Sequence, residues 1–172
     1  VADVAPLAGL TALRILSFGR TRVADLSPLV GLTALRVLSL ACTQVADLAP
    51  LAGLTGLEFL LLDRTPVADL APLAGLSGLR VLRLADTEVA DLAPLAGLGA
   101  LQTLSLDGTP VADLVPLARM TRLIDHVHEV WTNDDRKIER GTADLSYADT
   151  PIAATPPFDR LSKLDQPART IE

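Results

Sequence analysis

Two histidines, one cysteine and a column of six aspartates are the residues of this 172-residue chain whose types and spacing could do chemistry. His126 and His128 form an H-x-H in the segment LIDHVHEVW, with Asp125, Glu129, Asp134 and Asp135 close by in sequence. Two imidazoles on one face of a strand can ligate zinc and so build a metal-dependent enzyme centre. No third ligand is identifiable, and the plainer expectation is two partly exposed side chains in an end cap, with no metal and no cofactor. Cys42 reads as an exposed turn residue with no nearby histidine, and a nucleophilic thiol needs a base within reach. Asp3, Asp25, Asp47, Asp69, Asp91 and Asp113 recur every 22 residues. Calcium takes about six to eight oxygens converging on one point, and one aspartate per 22 residues supplies too few. No G-x-x-x-x-G-K-[ST] phosphate loop is present. No catalytic residue emerges, and the chain is expected not to be an enzyme.

The aspartates belong to a longer pattern. Written in blocks of 22, the chain runs VADVAPLAGLTALRILSFGRTR, VADLSPLVGLTALRVLSLACTQ, VADLAPLAGLTGLEFLLLDRTP and on through two more full copies. A sixth copy begins at Val111 and degrades after Leu123. Of 35 leucines, 32 precede Ile124, so the repeat carries nearly the whole aliphatic core. Within each copy, Asp47 and its equivalents can accept hydrogen bonds from the first amides of a short helical turn. Pro50 and its equivalents then fall in that first turn, where a missing N–H costs nothing. So short a segment predicts one or two turns, of α or 3₁₀ type. The alternation of Leu38 and Leu40 predicts a short strand in the second half of the unit.

A unit of this size cannot bury its own leucines and must stack on its neighbours as a solenoid. The frame L-x-x-L-x-L-x-x-T-x-V-x-D-L-x-P-L over residues 1–123 resembles the 22-residue class of leucine-rich repeats, of the internalin and protein-phosphatase-regulator type. The resemblance implies an α/β solenoid. It would be a right-handed superhelix with parallel strands on the concave face and short helical or 3₁₀ turns on the convex face. It also implies a bacterial protein-binding module. The family usually carries Asn after the strand, where its amide bridges successive coils. Thr21, Thr43, Thr65, Thr87 and Thr109 stand there instead. A hydroxyl has one donor where an amide has two, so a weaker ladder between coils is expected.

Residues 124–172 leave the register and read as irregular final coils and a C-terminal cap. LIDHVHEVW predicts one strand. The segment 142–153 returns to the frame, with Leu145, Tyr147, Thr150 and Ile152 in phase and Thr150 lying 41 residues after Thr109. Two irregular coils are therefore expected, followed by a capping helix over 155–164 with Thr155 as N-cap and Pro156 in its first turn.

The net charge of −6 argues against nucleic acid, whose binders are normally basic. No membrane insertion is expected. The longest uncharged run in the leucine-rich part, Leu92 to Leu106, is broken by Pro94, Gly97 and Gly99, and a spanning helix needs about 20 apolar residues. A single cysteine forms no internal disulfide, which fits a cytoplasmic location. No signal peptide is visible. The first residue, Val1, is already in phase with the repeat, which suggests a piece of a longer multidomain chain.

Function is expected where the repeat varies. On each strand the residues flanking the buried leucine face the open side. The leading column is Ile15, Val37, Phe59, Val81 and Thr103, and the second contains Leu61 and Arg83. Aligned apolar side chains on an exposed face mark a partner surface, although strand propensity alone favours β-branched residues there. Phe59 and Leu61 are larger than propensity requires. Arg14, Arg20, Arg22 and Arg36 crowd the first two coils, while Asp86, Glu88 and Asp107 come later, a gradient that can orient a partner. The expected binding set is Ile15, Val37, Phe59, Leu61, Val81, Arg83 and Thr103, with Arg14 and Arg36. The expected function is protein recognition through the concave face. A sensor segment controlling an effector domain outside the chain is the alternative, with a metal enzyme at His126 and His128 behind it.

Overall fold

The computed structural model describes residues 4–117, Met120 and 145–146. Five three-residue strands follow the repeat: β1 (Ile15–Ser17), β2 (Val37–Ser39), β3 (Phe59–Leu61), β4 (Val81–Arg83) and β5 (Thr103–Ser105). A sixth, β6, spans Leu145–Ser146. They form one parallel sheet in chain order. Its register matches equivalent residues of successive repeats, as in Val37↔Phe59 and Leu38↔Leu60. The strands thus stack at about 4.8 Å intervals, with one short 3₁₀ turn opposite each.

Those turns are Ala5–Leu7, Ser27–Leu29, Ala49–Leu51, Ala71–Leu73, Ala93–Gly97 and Val115–Leu117. Each holds a proline near its start, where no hydrogen bond is forfeited. Asp47 lies one residue before the turn's N-cap, and its carboxylate accepts from the Ala49 N–H at 2.8 Å. Asp69, Asp91 and Asp113 do the same for Ala71, Ala93 and Val115, each at 2.8 Å. This is an Asx turn, and it accounts for five of the six expected aspartates. Asp25 also takes a bond from the Ser27 hydroxyl. That bond, followed by the Ser27 amide, holds its carboxyl below the ordinary carboxylate range.

The core is a stack of leucine columns. In coil 3, Leu48, Leu51, Leu54, Leu57, Leu60 and Leu62 are all buried. Phe18 fills in coil 1 the place that Leu40, Leu62, Leu84 and Leu106 hold in the others. Burial comes from the neighbouring coil. In coil 1 Leu7, Leu13 and Leu16 are only partly covered, and Leu10 is 47% exposed.

The threonine column departs from the expected ladder. Thr43, Thr65, Thr87 and Thr109 are buried, and each hydroxyl donates to the carbonyl three residues earlier in its own coil, at 2.6–2.7 Å. The hydroxyl thus closes the turn within its own coil. Backbone groups tie the coils together here instead. The N–H of Arg20, Cys42, Arg64 and Asp86 each donates to a carbonyl of the following coil, at 2.7–2.8 Å. Those four residues and Gly108 have φ between 55° and 67°. A left-handed residue in each repeat lets the chain leave the strand while prolonging the ladder.

The strand beside β5 is β6, paired at Leu104↔Leu145. The 41-residue offset read in the sequence is therefore the sheet register. Among the described residues β6 is the strand paired with β5, and the two irregular coils expected over 124–153 fall mostly outside the described residues. LIDHVHEVW and the capping helix over 155–164 lie outside the described residues.

Candidate partner-binding face

The strands present two sides because side chains alternate along them. Leu38, Leu60, Leu82 and Leu104 point into the core at zero exposure. Their neighbours point outward. Ile15 is 68% exposed. Val37, Phe59, Val81 and Thr103 are half-buried, and so are Ser39, Leu61 and Ser105 in the second column. Register places Ile15 against Val37, Val37 against Phe59 and Phe59 against Val81. The four form an apolar strip across four strands, and Leu61 widens it at its centre. Thr103 ends it, and its burial is like that of Val81.

Charged columns border the strip. Just before the strands, Arg36 donates to Glu58 at 3.0 Å and to the Gly56 carbonyl at 3.3 Å. Arg80 lies 3.9 Å from the other oxygen of Glu58 and donates to Gln102 at 3.3 Å. At the other strand end, Arg83, the last residue of β4, pairs with Asp63 just after β3 at 3.0 Å, and Asp63 also accepts from the Ala85 N–H at 3.2 Å. Arg64 pairs with Asp86 at 3.2 Å. Asp86 pushes the Arg64 guanidinium pKa further up, with a smaller contribution from Cys42. Arg64–Asp86 is exposed on both sides and contributes little to stability, whereas Glu58 and Asp63 are partly covered. The pairs fix side-chain positions along the rim.

The expected residues therefore fall into two kinds. Ile15, Val37, Phe59, Leu61, Val81 and Thr103 share one open surface. Arg36 and Arg83 flank it but are engaged with Glu58 and Asp63. The smooth charge gradient read from the sequence is broken at coil 3, where Glu58 sits between two arginines. Arg14 is exposed at the head of the same column, and its nearest column neighbour is the like-charged Arg36. Cys42 is half-buried rather than exposed, and it occupies one of the left-handed turn positions. That column was missed. Asp86 and Gly108 are residues that tolerate such a conformation, but arginine and cysteine give no such signal.

His126 and His128 lie outside the described residues. Among the described residues no group of three or more His, Cys, Asp or Glu side chains is placed to hold a metal ion. Among them, too, no helix is long and apolar enough to cross a membrane.

A parallel sheet of one short strand per 22 residues, backed by 3₁₀ turns and leucine columns, defines a leucine-rich-repeat solenoid. The comparisons with solved structures agree: the chain is a leucine-rich-repeat protein, and it is similar to bacterial internalins. It is 38% identical to internalin C2 of Listeria monocytogenes, with a TM-score of 0.70 over 71% of this chain and 54% of that one. It is 35% identical to internalin F of the same organism, with a TM-score of 0.69 over 72% of this chain and 36% of that one. A leucine-rich-repeat protein of Leptospira interrogans shares the fold at 24% identity, with a TM-score of 0.61 over 65% of this chain and 30% of that one. The chain thus spans about half the length of internalin C2 and about a third of internalin F. No family model matches the chain, and no curated protein matches it.

Proposed function

We propose that the chain binds a protein partner on the concave face of the sheet, with Phe59 and Leu61 at the centre of the contact, and that it is not an enzyme. The observation that carries this reading is the in-register apolar strip of Ile15, Val37, Phe59 and Val81 on the open side. Strand propensity accounts for valine and isoleucine at such positions. It favours an aromatic residue too, but it does not account for Leu61 beside Phe59, which makes the middle coil the bulkiest part of the strip. Binding energy concentrates in large, central side chains that become fully desolvated. The resemblance to the internalins supports an interaction module in general. A cytoplasmic location belongs to the same proposal and rests on the single free thiol, Cys42.

A photo-crosslinking amino acid placed at Phe59, and separately at Val30 on the 3₁₀ side, tests the face. Val30 is 64% exposed and so equally able to react. The reading expects a discrete protein adduct from position 59 and none from position 30. Adducts from position 30 alone would move the interaction surface to the convex side.

A further inference from the structure

The three arginines of coil 1 differ from every other described arginine. Arg36, Arg64, Arg80 and Arg83 each lie within 4.0 Å of a carboxylate. Arg14, Arg20 and Arg22 are exposed, and no carboxylate lies within ion-pair distance of them among the described residues. Residues 1–44 carry four arginines against two carboxylates, Asp3 and Asp25, and Asp25 is held by Ser27 in its turn. Residues 45–110 carry three arginines against eight carboxylates. Within residues 1–110 the excess of positive charge therefore lies in the first two coils.

That charge surrounds an apolar centre. Arg14 immediately precedes β1, and Arg20 and Arg22 follow it within five residues. Between them stands Ile15, the most exposed member of the strip, with Ser17 also exposed beside it. A guanidinium is always charged, offers five donors in a planar fork and matches a carboxylate in bidentate fashion.

We propose that coils 1 and 2 receive an acidic polypeptide segment. Its apolar side chain lies on Ile15 and Val37, and its carboxylates take Arg14 and Arg20. The proposal rests on the concave-face reading and names the partner's chemistry and direction: the acidic end of the partner lies over coils 1 and 2. Complementary charge of this kind speeds encounter and fixes orientation. A long sulfated or phosphorylated polyanion fits less well. The basic patch is interrupted by Ile15, and a polymer continuing along the sheet meets the net negative coils 3 to 5.

Calorimetric titration of the full 172-residue chain at low salt tests this with three probes: a glutamate–tyrosine copolymer, polyglutamate and heparin. The copolymer is expected to bind at least tenfold more tightly than either of the others. The double variant Arg14→Glu/Arg20→Glu should weaken it at least tenfold, and Arg14→Gln/Arg20→Gln by an intermediate factor, with melting unchanged in both. If the double variant binds normally while Phe59→Ala abolishes binding, the acidic-end proposal fails and the concave-face reading stands. If neither change matters, both fail. Heparin binding equal to the copolymer and indifferent to Ile15→Ser would replace the proposal with a general polyanion site. No copolymer binding at all would overturn the acidic partner class.

Discussion

Coil 1 and coil 3 are written in the same frame and become different objects. In coil 3 the leucines at 51, 54, 57 and 60 are fully buried. In coil 1 their equivalents Leu7, Leu13 and Leu16 are partly covered and Leu10 is 47% exposed. The Thr65 hydroxyl donates to the Leu62 carbonyl at 2.6 Å, whereas the buried Thr21 hydroxyl finds no partner. The arginines that border coil 3 are paired, and those of coil 1 are not. The motif thus states where a side chain points, and the neighbouring coil decides what that placement contributes. This is the nearest-neighbour logic of a repeat array.

The contrast predicts unequal costs for equal substitutions. Leu57→Ala, in the middle, should cost about 2–5 kcal/mol of stability, read by chemical denaturation. Leu13→Ala, its coil 1 equivalent, should cost less than half as much. Equal losses would mean that burial is set within a coil and not between coils.

The threonine column sharpens the same point. Thr65→Val removes a donor and leaves the Leu62 carbonyl unpaired, at a cost of about 1–3 kcal/mol. Thr21→Val removes an unpaired buried hydroxyl and should be neutral or slightly stabilising. Matching effects at the two sites would refute the local role assigned to the hydroxyl.

The aspartates give a smaller effect of the same kind. Asp69→Ala strands the Ala71 amide and should cost about 0.5–2 kcal/mol by thermal melting. A loss below measurement error at both Asp69 and Asp91 would show that this column has another task. Calcium titration would be the next step.

Much of this fold was legible in the repeat. Strand positions follow from the alternation of leucines, and 3₁₀ turns follow from Asp and Pro at fixed phase. The return of the frame at Leu145 marked it as a strand residue, but its direct pairing with Leu104 was not read from the sequence. The apolar strip was legible for the same reason, since it consists of the positions adjacent to the buried leucines. Three features were not. The reach of the threonine hydroxyl depends on turn geometry rather than residue type. The left-handed column is populated by arginine, cysteine and aspartate, which obey the backbone instead of announcing it. The pairing of Arg36 with Glu58 and Arg83 with Asp63 joins residues of different coils, roughly one repeat apart, so it appears only once the coils are stacked.

The central claim is that one strand carries two separate functions on its two sides. Phe59 and Leu60 are adjacent in β3, one facing out and one facing the core. The direct test measures stability and partner binding together for Phe59→Ala and Leu60→Ala. Phe59→Ala should lower stability by less than about 1 kcal/mol, as a surface change does, while weakening partner binding at least tenfold. Leu60→Ala should cost about 2–5 kcal/mol, and whatever protein stays folded should bind nearly normally. A Phe59→Ala protein that unfolds, or one that keeps full affinity, would contradict the account.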